Sequence, residues 1–165
     1  LGGANLHDFH AFTPTVANIR PTSRGEILIS SSDTKVSPKI KMNYLSTDED
    51  RKVAADGIKL IRKIVMETNE FKKYEPEEFR PGSHLNDKEE IVKACSHYAQ
   101  TIFHPVGTCK MGSDESAVVS DKLKVHGLNK LRVIDASIMP NITSGNTNAP
   151  TIMIAEKGAD MILNP

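Results

Sequence analysis

A chain of 165 residues, 38% of them hydrophobic and 25% charged, is long enough to bury roughly 70% of its unfolded surface and has the makeup of a folded globular domain rather than of a disordered segment. Its 21 Lys and Arg balance 21 Asp and Glu, which removes the basic footprint of a nucleic-acid binder or of a polybasic membrane-surface protein. No apolar run approaches the ~20 residues of a membrane span, and Cys95 and Cys109 are too few for a disulfide framework.

In chain order, residues 15–20 and 25–30 alternate apolar and polar side chains around Pro21-Thr22-Ser23-Arg24, and residues 39–45 alternate again after a turn-rich stretch. These segments predict a small antiparallel sheet with one wet face. Ser46-Thr47-Asp48-Glu49 reads as a capping box. Behind it Val53, Ala54, Ile58, Ile61, Ile64 and Val65 recur at helical spacing, with Arg51, Lys52, Lys59, Arg62 and Lys63 largely elsewhere on the wheel and an end near Glu67 or Thr68. A polar connection with Pro76 and Pro81-Gly82 follows, its 75–78 run reading as solvated surface. Asn86-Asp87-Lys88-Glu89 then caps a second helix to His97 or Tyr98.

Beyond Thr101, Pro105, Gly107, Gly112, Gly127, Pro140 and Gly145 break every periodic run, so loops dominate. The exceptions are a short apolar strand at 131–135 and a closing helix at about 150–159 with Pro150 in its first turn. There is no internal repeat or dividing linker.

Three places hold candidate chemistry. His104 precedes Pro105, which biases its backbone to an extended conformation; a loop histidine, with a reference pKa near ~6.5, suits proton transfer, and its bland alternative is a satisfied surface side chain. The run from Ser144 to Thr151 precedes the last helix, whose first amides suit an anion or developing negative charge, with Asn148 as a further donor. Its alternative is that Asn148 or Ala149 simply caps the helix and Gly145 makes a turn. Asp135-Ala136-Ser137 ends the short strand, where the carboxylate meets a ligand or caps the following turn. His97, His104 and His126 lack metal-ligand spacing, and no Gly-x-Ser-x-Gly elbow occurs. Cys109 beside Lys110 reads as a modestly activated thiol or, preferably, as buried and inert.

Taken together, His104-Pro105-Val106-Gly107-Thr108-Cys109-Lys110-Met111-Gly112, Leu131-Arg132-Val133-Ile134-Asp135-Ala136-Ser137-Ile138-Met139-Pro140 and the run from Gly145 to Lys157 resemble the C-terminal part of the glucose-methanol-choline (GMC) flavoprotein oxidoreductases. The run from Arg20 to Gly25 and that from Pro38 to Leu45 resemble the family's substrate-domain sheet, closest to its choline-dehydrogenase-like alcohol dehydrogenases. The resemblance implies FAD as cofactor and a small alcohol as substrate. It implies His104 as the base for the alcohol hydroxyl during hydride transfer to flavin N5, and Asn148 as holder of the substrate oxygen. Asp135 and Ala136 would contact the ribityl and diphosphate region, with Asn148, Ala149, Pro150 and Thr151 under the flavin pyrimidine.

One departure matters: no Gly-x-Gly-x-x-Gly turn occurs in the chain, and neither Gly2-Gly3 nor Gly145 supplies it. With the opening Leu1-Gly2-Gly3-Ala4 lacking an initiator Met or leader pattern, this reads as the C-terminal piece of a longer enzyme whose N-terminal FAD-binding region is missing. Alone, it should bind FAD poorly and be inactive. The expected fold is α+β, with an antiparallel substrate-domain sheet flanked by helices over residues 1–130. A return segment at 131–165 would complete a Rossmann-like FAD domain. A homo-oligomer through the uncovered surface and a cytoplasmic location, or one peripheral to the inner membrane, complete the expectation. The electron acceptor stays open between oxygen and a quinone or carrier. Low aromatic content, without Trp, supplies no obvious cage for a quaternary ammonium. The competing readings are a binding module that keeps the fold without the chemistry, and a cofactor-free hydrolase, for which no motif marks a nucleophile.

Overall fold

The computed structural model describes residues 7–164; residues 1–4, with Gly2 and Gly3, lie outside them. The described residues form β1 (Glu26–Leu28), β2 (Lys39–Lys41), α1 (Asp48–Glu67), a short α2 (Asn69–Lys72), α3 (Lys88–Tyr98), a 3-10 turn (Ala136–Ile138) and α4 (Asn148–Leu163). This is the expected α+β class with an antiparallel sheet, here of two strands.

β1 and β2 pair with Glu26 opposite Lys41, Ile27 opposite Ile40 and Leu28 opposite Lys39. Both strands are shorter than their alternation predicts, and all their residues are exposed. A two-stranded ribbon has no second layer among the described residues, so the single wet face becomes two. The predicted strand at 15–20 does not form. Its polar groups bond elsewhere: Asn18 Nδ2 donates to Asp50 Oδ1 at 3.1 Å, and the Arg20 amide to Asn18 Oδ1 at 3.0 Å.

α1 is capped by Thr47 rather than Ser46: Thr47 Oγ1 accepts from the Asp50 amide at 3.3 Å, while the Ser46 amide donates to Ser23 Oγ at 3.0 Å. The helix ends at Glu67, as its spacing predicts. Val53, Ala54, Ile58, Ile61 and Val65 are half-buried, but Ile64 is exposed and the deepest positions are Asp50, Ala55 and Gly57. Small side chains sit where approach is closest. Ala55 packs with Ile91 and Val92 of α3, and a Cβ on Gly57 would come within 2.7 Å of Val16 Cγ1. A pattern weighted by hydrophobicity does not register that.

α3 is capped as predicted, Asp87 Oδ2 accepting from the Glu89 amide at 2.8 Å. The 75–78 run, by contrast, is not all solvated surface. Glu78 and Arg62 form a two-pronged ion pair at 2.8 and 2.9 Å, and the guanidinium also donates to the carbonyls of Leu85 and Gly82. A planar fork with its donors matched this way can leave water and hold the α2–α3 connection against α1.

From residue 101 to 147 the chain is loop and isolated bridges apart from the 3-10 turn, as its Gly and Pro spacing predicts. These loops close over a core of Val119, Leu123, Ile138, Met139 and Ile154, which joins the two sides of the 130/131 boundary. The predicted strand at 131–135 reduces to a Lys124–Arg132 bridge, because its neighbour turns at Leu123, whose φ of 60° breaks an extended ladder. α4 continues to Leu163, past the expected end near Ala159. Gly158 brings it onto the loops: a Cβ there would lie 2.5 Å from Ile134 Cγ2.

Candidate functional site

The loop carrying His104 is anchored downstream by backbone bonds to the 3-10 turn, Cys109 N to Ser137 O at 3.0 Å and Met111 N to Ile138 O at 2.8 Å. Gly107, with a φ of 90°, makes the bend that admits this pairing, and Val106 packs on the core. Upstream, Phe103 holds a φ of 63°, a conformation that costs a non-glycine residue of order 1–3 kcal/mol. Its amide is held by Thr101 Oγ1 at 3.0 Å. His104 is half-buried between these fixed points. Its Nδ1 lies 3.0 Å from Thr147 Oγ1, and no described residue hydrogen-bonds its Nε2.

Thr147 is the N-cap of α4, correcting the reading that Asn148 or Ala149 caps that helix. Its carbonyl accepts from the Thr151 amide at 3.0 Å and from Thr151 Oγ1 at 2.6 Å. The amides of Asn148 and Ala149 meet no acceptor among the described residues, and Pro150 has no amide. The helix therefore opens with unpaired donors on exposed residues.

The loop ahead of α4 is tied to the N-terminal region. Arg20 Nε donates to Ser144 Oγ at 2.9 Å, and Arg24 Nη2 to Asn141 Oδ1 at 2.6 Å. Asp50 anchors the segment bearing both arginines: besides Asn18, the amides of Thr22 and Ser23 donate to its carboxylate, each at 2.9 Å. Asp50 is only 4% exposed. Burial alone would raise its pKa, but hydrogen bonds from the Ser23 and Thr22 side chains and amides outweigh it and hold the carboxyl below its ordinary value.

An open, mostly apolar cleft of about 490 Å³ adjoins this arrangement, lined by Met42 and Tyr44 after β2 and by Thr101, Phe103 and Pro105. Both chain neighbours of His104 thus form its wall. A polar recess of about 180 Å³ at Arg24, Gly25, Glu26, Lys41 and Asn43 contains no residue of the His104 loop or of α4.

A half-buried histidine thus stands beside an apolar cleft and an open helix entrance. A family model described as GMC oxidoreductase matches residues 21–155. The chain belongs to the GMC oxidoreductase family. It is 46% identical over 160 residues to the oxygen-dependent choline dehydrogenase of Proteus mirabilis, covering 97% of this chain and 29% of that protein. To the Pseudomonas fluorescens protein of the same name it is 44% identical over 160 residues, covering 97% and 28%. Among solved structures, pyridoxine 4-oxidase from Mesorbium loti aligns with a TM-score of 0.82 at 35% identity, covering 89% of this chain and 28% of that one. Formate oxidase from Aspergillus oryzae aligns at 0.80 and 32%, covering 93% and 28%. The chain thus spans under a third of the length of these GMC relatives.

Within the GMC frame, His104 and the α4 entrance meet, through Thr147. Asn148 is the first residue of α4, exposed, and its side chain bonds no described residue. Ala149 is exposed, Pro150 half-buried, and Thr151 turns its hydroxyl back on the helix. Asp135 caps the 3-10 turn, Oδ1 accepting from the Ser137 amide at 2.8 Å; the turn-capping alternative describes that oxygen, and Oδ2 has no described partner. Ala136 packs at the edge of the core. The unpaired amides at the head of α4 and the second oxygen of Asp135 are donor and acceptor groups that fit a flavin with its ribityl chain. Lys110 does not serve Cys109. It binds Asp114 at 3.0 Å, whose carboxyl is held down to about 2 by the Ser116 hydroxyl, Lys110 and the Ser116 amide, and Cys109 is half-buried.

Sequence reasoning passed over Thr147, Tyr44 and Met42. The sequence pattern puts Asn148 or Ala149 at the cap, and no local pattern links Thr147 to a histidine 43 positions away. The two wall residues belong to the alternating 39–45 segment, beyond the end of β2, and alternation says nothing of what lies opposite.

Proposed function

We propose that this chain is the C-terminal, substrate-side part of an FAD-dependent enzyme that oxidises a primary alcohol, choline-like or aliphatic, to its aldehyde. The observation that carries this reading is His104, bonded at Nδ1 and with no partner at Nε2 among the described residues, between two residues that wall an apolar cleft and joined through Thr147 to the opening of α4. Nε2 takes the hydroxyl proton as negative charge grows on the oxygen. Asn148 lacks a basic site and acts as a neutral donor that positions and stabilises that oxygen. The cleft wall receives the carbon chain, with the rings of Tyr44 and Phe103 offering π-faces to an alkylammonium group. When bound, FAD supplies the hydride acceptor. The amides of Asn148 and Ala149 and the carboxylate of Asp135 hold it, and residues 131–165 return to its domain. The relatives' names make choline and oxygen the first pair to test, and a location in the cytoplasm or peripheral to the inner membrane completes the proposal.

The test is anaerobic flavin reduction in the FAD-loaded enzyme with choline and a series of aliphatic alcohols. Bleaching by an alcohol, slowed about 10²–10⁴-fold in His104→Asn, is the expected result. No alcohol-dependent bleaching, or a His104→Asn variant as fast as the parent, overturns it. Alcohol binding without reduction would turn the assignment to a binding module.

A further inference from the structure

We infer that Arg20 is a positioning residue for the opening of α4, acting on Asn148 through Ser144; this rests on the role proposed for Asn148. Ser144 stands four residues before Asn148 and holds a φ of 60°, a left-handed conformation that a non-glycine residue keeps only where its surroundings enforce it. Arg20 Nε, 124 positions away in sequence, donates to the Ser144 hydroxyl oxygen at 2.9 Å, the one side-chain bond Ser144 makes among the described residues. A second strut runs alongside. Arg24 Nη2 donates to Asn141 Oδ1 at 2.6 Å, while its Nη1 is held by the carbonyls of Pro21 and Ser23 at 2.9 and 3.1 Å. A guanidinium only donates, so the sense of both struts is fixed: the arginines hold oxygens of the loop.

The struts stand on a rigid base. Asp50, in the first turn of α1 and 4% exposed, accepts at Oδ1 from Asn18 Nδ2, the Thr22 amide and the Thr22 hydroxyl, and at Oδ2 from the Ser23 amide, all between 2.9 and 3.2 Å. Asn18 in turn accepts from the Arg20 amide at 3.0 Å. A buried carboxylate occupied in this way fixes residues 18–23 against α1, and the arginines carry that fixity to residues 141–144. On the other side of Asn148, the Thr151 amide closes on the Thr147 carbonyl at 3.0 Å. The Asn148 backbone thus lies between a braced loop and a bonded helical turn, and its side chain bonds no described residue. A side chain without contacts of its own is aimed by its backbone alone, so the amide that meets a substrate oxygen depends on the brace. Neither Arg20 nor Ser144 lines the cleft. The brace therefore bears on the orientation at the reacting oxygen, not on the seat of the carbon chain.

The test is a double-mutant cycle in the intact FAD-loaded enzyme, with Arg20→Met, Ser144→Ala and the two combined. Amide hydrogen exchange by mass spectrometry reads the brace without turnover, and flavin reduction by choline and the aliphatic alcohols reads its effect on chemistry. Each single variant should speed exchange in residues 141–152 about three- to tenfold, the equivalent of one lost hydrogen bond, and leave residues 88–98 of α3 unchanged. With it, kcat should fall by a comparable factor at a KM within about twofold of the parent's. The combined variant should lose no more than either alone, because both substitutions remove the same bond. In an Asn148→Ala background, Arg20→Met should cost nothing further. Unaltered exchange at 141–152 in Arg20→Met, losses that multiply in the combined variant, a change confined to KM, or a further loss in the Asn148→Ala background overturns the inference. A parent whose exchange responds as expected while no alcohol reduces its flavin retains the Arg20–Ser144 brace and rejects the alcohol-oxidising reading instead.

Discussion

The α1–α3 pair and the loop-built region from 101 to 147 are both packed, yet by opposite means. In the helix pair each segment satisfies its own backbone, and tertiary contact only has to bury Ala55, Ile91 and Val92. In the loop region the backbone depends on distant partners, Cys109 on Ser137 and Met111 on Ile138, and His104 on Thr147. The chemistry proposed for this chain lies in the second kind of structure. A side chain set by long-range bonds can stand at a cleft rim in a geometry no single element supplies.

The comparison is tested most severely by paired core truncations. Ile91 and Val119 are both fully buried. Ile91→Ala should cost about 2–5 kcal/mol in urea unfolding while leaving kcat of the FAD-loaded enzyme within twofold. Val119→Ala should cost less, about 1–3 kcal/mol, yet lower kcat, since it packs in the core under the 3-10 turn and the His104 loop anchored to it. Equal effects on turnover would erase the distinction.

Asp50→Asn comes next, because it places a donor amide where donors already converge, at a cost of about 1–3 kcal/mol. The sign with pH is fixed by the lowered carboxyl pKa. Its contribution is complete above the unfolded value, near ~3.9, and disappears as pH falls through the folded value. Acid titration of the parent should therefore show a loss in that window that is flattened in Asp50→Asn. A parallel pair of curves would dismiss the clamp.

Asn148→Ala should lower kcat by about tenfold without altering stability, as expected for one donor to the substrate oxygen; an unchanged rate would remove Asn148 from the site. The smallest effect is at Asp87→Ala, which should cost about 1 kcal/mol through the lost cap of α3 and leave turnover alone. Loss of activity there would show the helix pair and the loop region to be one cooperative device.

How far residues announced these outcomes follows the same division. The Asp87 cap, the Glu67 end and the Pro150 first turn were readable because caps and proline act within a few residues. The strand at 15–20 failed since alternation describes a surface, and no strand among the described residues lies beside it. Ser46 lost the capping position to Thr47 because Ser23 claimed the Ser46 amide. Arg62 and Glu78 looked solvated for want of any signal that they face one another.

What the sequence by itself determined is the α+β class, the positions of α1, α3 and α4, and, through three ordered blocks from His104 to Lys157, membership of the GMC oxidoreductases. What tertiary structure decided is the partner of each polar group: Asp50 for the 18–23 segment, Arg20 for Ser144, and Thr147 for His104. The reason is physical. Helix propensity, capping and turn chemistry act over a few residues, whereas a hydrogen bond between positions 104 and 147 exists only once the intervening chain has closed over Val119 and Ile138.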